Sequence, residues 1–257
     1  QAFMDIAIAA YLIHPNNERY DYEALAREYL SMLIMSQTEL LTALFKLYKC
    51  TPLNCNLIIL CWHSSFIKLY ITYLNKSVWA FQDVLKNRES SPYINWFARI
   101  DFNGNSNYND GLWYEGWEGC YDLVKLNLYN EDVIQHIFNA IKGWVTEFDI
   151  DGLRLDVAYC LNHDFLKRLR SFCDSLKPDF FLLGETLHGD YNQIMNDEML
   201  HSVTNYECYK GLYSSFNSMN MFEINHSLLR QFGPENWTLY KGKHLLSFVD
   251  NHDVTRV

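Results

Sequence analysis

The chain has 257 residues, of which 49% are hydrophobic and 16% aromatic, and it carries a formal net charge of −10. These values exclude a disordered chain, and a length of about 250 residues suits a single α/β barrel domain. The acidic balance excludes a nucleic-acid backbone as partner but is compatible with a neutral ligand. No stretch is long and apolar enough for a transmembrane helix, so no membrane partner is expected.

Seven cysteines are scattered without CxxC pairs. This pattern favours reduced, mostly buried thiols over a disulfide framework. The unpaired thiols and the lack of a visible export segment predict a cytoplasmic location, although a chain that begins at Gln1 is not expected to include its natural N-terminus.

Three regions differ in character along the chain. Residues 1–78 carry no chemical motif and are predicted as the N-terminal part of a barrel. In residues 79–129, tryptophans alternate with Asn, Gly and Asp residues, a composition typical of turns. This segment is too long for a plain connection, so it is predicted as a loop-rich insertion. Residues 130–257 are predicted to supply barrel strands four to seven.

The third region predicts repeated strand–helix units. Asn130 is predicted to cap a helix whose first turn carries Glu131 and Asp132, where acidic side chains favour the helix dipole. Another amphipathic helix is predicted at 164–176, and apolar runs predict strands at 150–157, 180–184, 201–206 and 244–249. The run at 180–184 is apolar throughout, as in a strand buried on both faces. Strands that alternate with helices about every 30 residues indicate an α/β fold with a parallel sheet.

Acidic residues follow three of these predicted strands: Asp156, Glu185 and the pair Asp250 and Asp253. They are separated by 29 residues (185 − 156) and by 68 residues (253 − 185), about one and two strand–helix units. In a closed barrel every strand delivers its next residue to the same rim, so the spacing predicts one shared pocket. Each of these acids, taken alone, is more simply explained as a helix cap or a surface group.

Three short runs resemble a known family. Residues 151–158 (DGLRLDVA), 184–186 (GET) and 248–253 (FVDNHD) resemble the second, third and fourth conserved regions of the α-amylase family, glycoside hydrolase family 13, in order and spacing. Residues 109–127 resemble its loop-rich domain. The resemblance covers residues 79–257 and implies a (β/α)8 TIM-type barrel with an insertion after the third strand. The chain ends after the seventh-strand motif, so the last βα unit is expected to be absent.

The resemblance also implies a function, a retaining hydrolase that cleaves α-1,4 bonds of starch- or maltodextrin-type glucans. Asp156 would be the nucleophile that forms a glycosyl–enzyme intermediate. Glu185 would act as acid and then as base, and Asp253 rather than Asp250 would be the third carboxylate, which holds the sugar ring. Such a mechanism needs two neighbouring carboxyl groups, one ionised and one protonated, and it requires no cofactor.

Four further residues are predicted to bind substrate. Arg154 precedes Asp156 by two residues, so on a strand both point to the same face, where the arginine charge keeps the nucleophile ionised. His252 is predicted to donate a hydrogen bond to a sugar hydroxyl, and Asn251 and Trp117 are predicted as further sugar contacts. The simpler alternatives are a buried ion pair for Arg154 and core packing for His252 and Trp117.

The first conserved region of the family is missing. It consists of an Asp four residues before an Asn–His pair, and it should stand before Trp79, where residues 70–77 read YITYLNKS. The chain is therefore interpreted as an incomplete or upstream-altered member. In this family part of the calcium site comes from that region, so some of the calcium ligands are missing here. Asn127 and the nearby Asp residues do not by themselves make a cation site. No metal ligands are predicted.

Three alternatives stay open. The first is a transglycosylase of the same family, in which a sugar rather than water intercepts the intermediate. The second is a catalytically inactive barrel fragment that binds glucan or serves as a structural relative; the missing region favours it and the three acids oppose it. The third is magnesium-dependent phosphate chemistry, which the lack of a glycine-rich phosphate loop opposes.

Overall fold

The structure is a computed structural model that describes residues 58–60, 66–69, 73–251 and 253–257. Its strands are β1 (Ile58–Leu60), β2 (Phe66–Leu69), β3 (Tyr73–Asn75), β4 (Gly116–Trp117), β5 (Cys120–Lys125), β6 (Gly152–Leu155), β7 (Phe181–Gly184) and β8 (Ser202–Val203). Its α-helices are α1 (Trp79–Asn87), α2 (Glu131–Phe148), α3 (His163–Leu176), α4 (Tyr206–Ser218) and α5 (Phe222–Phe232). None of the helices in the described ranges is both long and apolar enough to cross a bilayer.

The larger sheet confirms the predicted parallel arrangement over most of its width. Its strand order is β1-β2-β6-β7-β8, and β2, β6, β7 and β8 pair in parallel. Strand β1 departs from the prediction because it pairs with β2 antiparallel. Only five residues (61–65) separate these two strands, whereas a parallel connection needs a crossover of about a dozen or more.

The two predicted helices of the third region are confirmed, and their caps explain where they begin. The Asn130 side chain accepts hydrogen bonds from the backbone N–H groups of Asp132 and Val133 at the start of α2. The Asn162 side chain caps α3 in the same way, through the N–H of Phe165. Each helix buries one apolar face. Because α3 connects the parallel neighbours β6 and β7, it completes a βαβ unit.

Strand β7 positions the site. Burial alternates along this strand, so only one of its two faces is fully buried. Leu182 and Gly184 are buried, whereas Phe181 and Leu183 are only partly buried, so the prediction of a strand buried on both faces is wrong. A side chain at Gly184 would meet a Leu200 methyl carbon at 2.4 Å. The absence of a Cβ at this position therefore allows β7 to end tightly packed, one residue before Glu185.

The strand predicted at 244–249 is reduced to one bridge. Leu246 pairs in parallel with Thr204, and its N–H donates to the Val203 carbonyl at 3.0 Å. The neighbouring strand β8 has only two residues, so it offers too short an edge for a longer ladder. The segment nevertheless lies next to β8, as its predicted place in the sheet requires.

Residues 79–129 contain regular structure as well as loops. Helix α1 lies there, and so do β4 and β5. Together with β3, which precedes the segment, they form a second, antiparallel sheet in the order β3-β5-β4. Strands β4 and β5 are joined by Glu118 and Gly119, both with positive φ, the conformation that a tight two-residue hairpin requires. The ring of Phe81 meets those of Phe97 and Tyr114 edge-on at centroid distances of 5.1 and 4.7 Å. These aromatic rings pack against one another and belong to the same buried cluster as Leu155 of β6 and Leu182 of β7.

Candidate active site

The register of β6 and β7 brings the first two predicted acids together. Leu155 pairs with Gly184 at the carboxyl ends of these parallel strands, so Asp156 and Glu185 leave the sheet side by side. The Glu185 N–H donates to the Leu155 carbonyl at 2.9 Å, and the Glu185 carbonyl accepts from the Ala158 N–H at 2.9 Å. Backbone hydrogen bonds thus continue past the strands and fix the two acidic residues at one rim.

One guanidinium binds both carboxylates. Nη1 of Arg154 forms a hydrogen-bonded ion pair with Oδ1 of Asp156, and Nη2 lies 2.5 Å from Oε1 of Glu185. The three side chains are largely buried, with 14%, 18% and 8% of their surface exposed, respectively. Two carboxylates so close and so poorly solvated would repel each other strongly, and the arginine charge between them offsets that repulsion.

Glu185 is held by further donors from two directions. The Val157 N–H donates to Oε2 at 3.2 Å, and the Tyr206 hydroxyl donates to Oε1 at 3.3 Å. Val157 adopts the left-handed conformation (φ 49°, ψ 42°), which is strained for a β-branched residue. This backbone turn directly after Asp156 presents the Val157 N–H to the Glu185 carboxylate.

The fourth motif reaches the same site through Tyr206. The Asn251 side-chain amide donates to the Tyr206 hydroxyl at 2.8 Å, and its oxygen accepts from the backbone N–H groups of Asp253 and Val254 at 2.9 and 3.0 Å. Burial raises the pKa of Tyr206, and the negative charges of Glu185 and Asp253 raise it further against the opposing Asn251 hydrogen bond. The structure therefore brings Asp253 into the electrostatic range of the group that contacts Glu185.

The remaining predicted site residues are less directly connected. His252 lies outside the described residues. Asp250, which is not a predicted site residue, faces Arg256, with 3.6 Å between Oδ2 and Nε. Trp117 lies in β4 of the antiparallel sheet, and its buried indole N–H has no acceptor among the described residues. In the segment that follows β6, burial raises the pKa of Tyr159, and the charges of Glu118 and Glu185 raise it further.

Tyr206 is the site residue that the sequence interpretation missed. It follows β8 by three positions, in the run Val203-Thr204-Asn205-Tyr206. Side chains gather at the carboxyl ends of barrel strands, and Tyr206 ends the strand predicted at 201–206. A tyrosine at such a position nevertheless gives no signal comparable to that of an acid.

The residues that the resemblance offers for calcium do not fit the ion. The Asn127 side-chain amide donates to the Asn95 carbonyl at 3.0 Å, and its oxygen accepts from the Tyr129 N–H at 3.1 Å. In the part of the chain that the structure describes, no three His, Cys, Asp or Glu side chains are grouped as metal ligands. Calcium sites take six to eight oxygen ligands, so Asn127, whose amide is already engaged on both sides, does not make such a site.

Comparison with known protein sequences identifies similar proteins over most of the chain. A model of the alpha-amylase catalytic domain matches residues 71–257. The intracellular maltogenic amylase of Bacillus subtilis (strain 168) is 29% identical over 183 residues, which cover 69% of this chain and 29% of that protein. A cyclomaltodextrinase of Geobacillus thermopakistaniensis is 30% identical over 159 residues, 59% of this chain and 27% of its own. The chain thus spans less than a third of the length of these relatives.

Solved structures agree in fold. A cyclomaltodextrinase structure superimposes with a TM-score of 0.60 at 26% identity, covering 74% of this chain and 32% of that one. A cyclic α-maltosyl-(1→6)-maltose hydrolase from Arthrobacter globiformis gives a TM-score of 0.58 at 24% identity, covering 69% and 39%. The described strands and helices therefore adopt an arrangement that these two enzymes share.

Proposed function

This chain belongs to the alpha-amylase family, glycoside hydrolase family 13, and from that premise we propose that it is a retaining glycoside hydrolase of α-1,4-glucans of the starch or maltodextrin type. The observation that carries the proposal is the Arg154 guanidinium that binds Asp156 and Glu185 together. Retaining enzymes hold their two carboxyl groups about 5–5.5 Å apart, and inverting enzymes about 6.5–9.5 Å. A shared guanidinium favours the shorter separation.

Family membership implies a (β/α)8 barrel, and the finer assignment is part of the proposal. Strands β6, β7 and β8 would be barrel strands four, five and six, with the segment at 244–249 as the seventh. Residues 79–129 would be the insertion after the third strand, which β2 would supply. This assignment places Asp156, Glu185 and Asp253 at one rim, where the catalytic groups of such barrels gather.

In the first half-reaction, an Asp156 carboxylate oxygen attacks the anomeric carbon of the bound sugar. The glycosidic C–O bond breaks, and the leaving oxygen takes a proton from Glu185. The product is a covalent glycosyl ester on Asp156. Arg154 keeps Asp156 ionised and oriented before attack. Asp253 would hold the ring through its hydroxyls and stabilise the positive charge that develops on it.

In the second half-reaction, Glu185 is ionised and acts as the base. It removes a proton from water, the water oxygen attacks the anomeric carbon, and the ester bond to Asp156 breaks. Two inversions give net retention, and both acids return to their starting protonation states. The chemistry uses only carboxyl groups and water, so we propose no cofactor.

The names of the relatives support the substrate class. They include a maltogenic amylase, a cyclomaltodextrinase and a maltosyl-maltose hydrolase. We propose His252, Asn251 and Trp117, together with Arg154, as the residues that contact the glucan, and a cytoplasmic location on the ground that one relative is named intracellular.

The test is release of reducing sugar from soluble starch and maltoheptaose by the 257-residue chain and its Glu185→Gln variant. Glu198→Gln is the matched control, because Glu198 is an exposed glutamate paired with Lys167. We expect activity in the wild type and the control, and its loss in Glu185→Gln. No activity from soluble, folded wild-type protein would contradict the proposal and favour the inactive relative. Oligosaccharides longer than maltoheptaose among the products would indicate transglycosylation.

A further inference from the structure

A tyrosine and an asparagine connect the general acid to the segment that carries the third carboxylate. Asn251 contacts Tyr206, and Tyr206 contacts Glu185, with donor–acceptor distances of 2.8 and 3.3 Å. Tyr206 opens α4, whereas Asn251 belongs to the fourth motif. Two segments that are 45 residues apart in sequence therefore meet at the Tyr206 hydroxyl, which in turn contacts one carboxylate oxygen of Glu185.

The direction of these hydrogen bonds is determined by the backbone. The Asn251 side-chain oxygen accepts from the N–H groups of Asp253 and Val254, and an amide nitrogen could not accept these bonds. The amide group can therefore not be turned over, and its NH2 faces the Tyr206 hydroxyl oxygen. With that oxygen already accepting from Asn251, the hydroxyl hydrogen is left to donate to Glu185.

We infer that Tyr206, oriented by Asn251, is a positioning residue that stabilises the ionised form of Glu185 and orients it. A hydrogen bond donated to a carboxylate favours its charged form. That form is the one that Glu185 needs as a base in the second half-reaction. Only the consequence for the second half-reaction rests on the proposed function. The contact between Tyr206 and Glu185 is present in the protein without substrate.

Other groups also act on Glu185, so the test must separate Tyr206 from them. From β6 and the turn after it come the Arg154 cation, the Asp156 carboxylate and the Tyr159 hydroxyl. From the fourth-motif segment, Asp253 acts on Tyr206. Replacing Tyr206 by Phe removes one hydroxyl and leaves every one of these charges in place.

Tyr209 provides a matched control on the same helix. Its hydroxyl donates to the Thr255 carbonyl at 2.5 Å, and its ring stacks on Phe248 with centroids 5.4 Å apart. Tyr209→Phe therefore removes a hydroxyl between α4 and the same C-terminal segment, without touching Glu185. If the two substitutions changed the titration of Glu185 equally, the cause would be a general loosening of the contact between α4 and the C-terminal segment.

The experiment is a carbon-13 NMR titration of the glutamate side-chain carboxyl groups in the wild type, Tyr206→Phe and Tyr209→Phe, with Glu185 assigned through Glu185→Gln. We expect the Glu185 titration midpoint to rise by about 0.5 pH unit in Tyr206→Phe and to stay in place in Tyr209→Phe. An unchanged midpoint in Tyr206→Phe, or the same shift in both variants, would overturn the inference.

Activity gives an independent second readout. In Tyr206→Phe, the basic limb of the kcat/KM profile on maltoheptaose should move to higher pH by the same amount as the NMR midpoint. If the wild type shows no hydrolysis, the proposed function fails while the NMR titration still decides the role of Tyr206. If hydrolysis is present and neither the profile nor the midpoint moves, the role of Tyr206 fails alone.

Discussion

At the scale of single residues, Arg154 determines whether two acids can occupy one buried rim. Its planar guanidinium presents separate nitrogens to Asp156 and Glu185. A lysine ammonium is a single point charge and cannot reproduce this fork. The close approach of the two carboxylates therefore depends on an arginine at this position, and not only on a positive charge.

We predict that Arg154→Ala lowers the free energy of unfolding by about 3 kcal/mol, because it leaves two poorly solvated carboxylates without their cation. Arg154→Lys should restore part of this stability, yet keep kcat/KM on the order of 100-fold below the wild type, since it orients only one acid. Urea unfolding and the reducing-sugar assay measure the two effects.

Arg168 is the control for the arginine prediction. It also binds a carboxylate through two nitrogens, those of Glu131 at 2.8 and 2.9 Å, but both side chains are about half exposed. Arg168→Ala should cost less than about 1 kcal/mol, as exposed ion pairs do. Comparable losses for Arg154→Ala and Arg168→Ala would contradict the importance given to burial.

The residues of the site differ in how far the sequence could indicate them. Asp156 and Glu185 could be predicted together because strand spacing and parallel register determine their placement. The left-handed conformation of Val157 could not, because β-branched residues disfavour it and the hydrogen bond from its N–H goes to Glu185, which is 28 residues away in sequence. Tyr206 was missed because a tyrosine at a strand end gives no signal comparable to that of an acid, and because its contacts, Glu185 and Asn251, are distant in sequence.

At the scale of elements, the helices could be predicted from signals within each segment, whereas the extent of a strand and the direction of its pairing depend on its neighbours. Helices α2 and α3 could be predicted because an asparagine cap and an apolar face are both encoded within each segment. The strand at 244–249 could not be confirmed beyond one bridge, since a strand needs an edge of sufficient length beside it and β8 is short. The antiparallel pairing of β1 likewise depends on β2, the strand beside it.

His201 links β8 to β7 through a bond that requires a neutral ring. Its Nδ1 accepts from the Leu182 N–H at 3.0 Å, and protonation would remove this acceptor. Burial lowers the pKa of His201, and the Arg170 charge lowers it further against the opposing charge of Asp174. A lowered folded-state pKa gives stability that is present above the unfolded value of about 6.5 and is lost as the pH falls through the folded value.

We therefore predict that the free energy of unfolding decreases between pH 7.5 and 5.5, and that His201→Asn weakens this dependence. The Asn side-chain oxygen can accept from Leu182 without titrating, so the variant should retain the hydrogen bond, which contributes about 1 kcal/mol. Some dependence should remain, because burial also lowers the pKa of His136. Urea unfolding of both proteins at pH 7.5 and 5.5 measures this pH dependence. The same decrease in the free energy of unfolding in wild type and variant would argue against this role of His201.

At the scale of the whole molecule, the sheet order explains why distant motifs form one site. Asp156 and Glu185 directly follow β6 and β7, and the fourth motif follows the segment that bridges to Thr204 just after β8, so these motifs emerge at the same edge of the sheet. The repeated βα pattern predicts this convergence without any knowledge of the contacts. It does not predict the hydrogen bonds from Asn251 through Tyr206 to Glu185, which arise only once the segments are packed.

The most direct test of a retaining centre is to trap its covalent intermediate. In Glu185→Gln, α-maltotriosyl fluoride should still react, because fluoride leaves without needing a proton, while hydrolysis of the ester lacks its base. We predict a mass increase of one maltotriosyl unit on the peptide that contains Asp156, and none when Asp156→Asn is added. A folded protein that forms no adduct with this donor, or that carries the adduct on another residue, would contradict the assignment of Asp156 and Glu185.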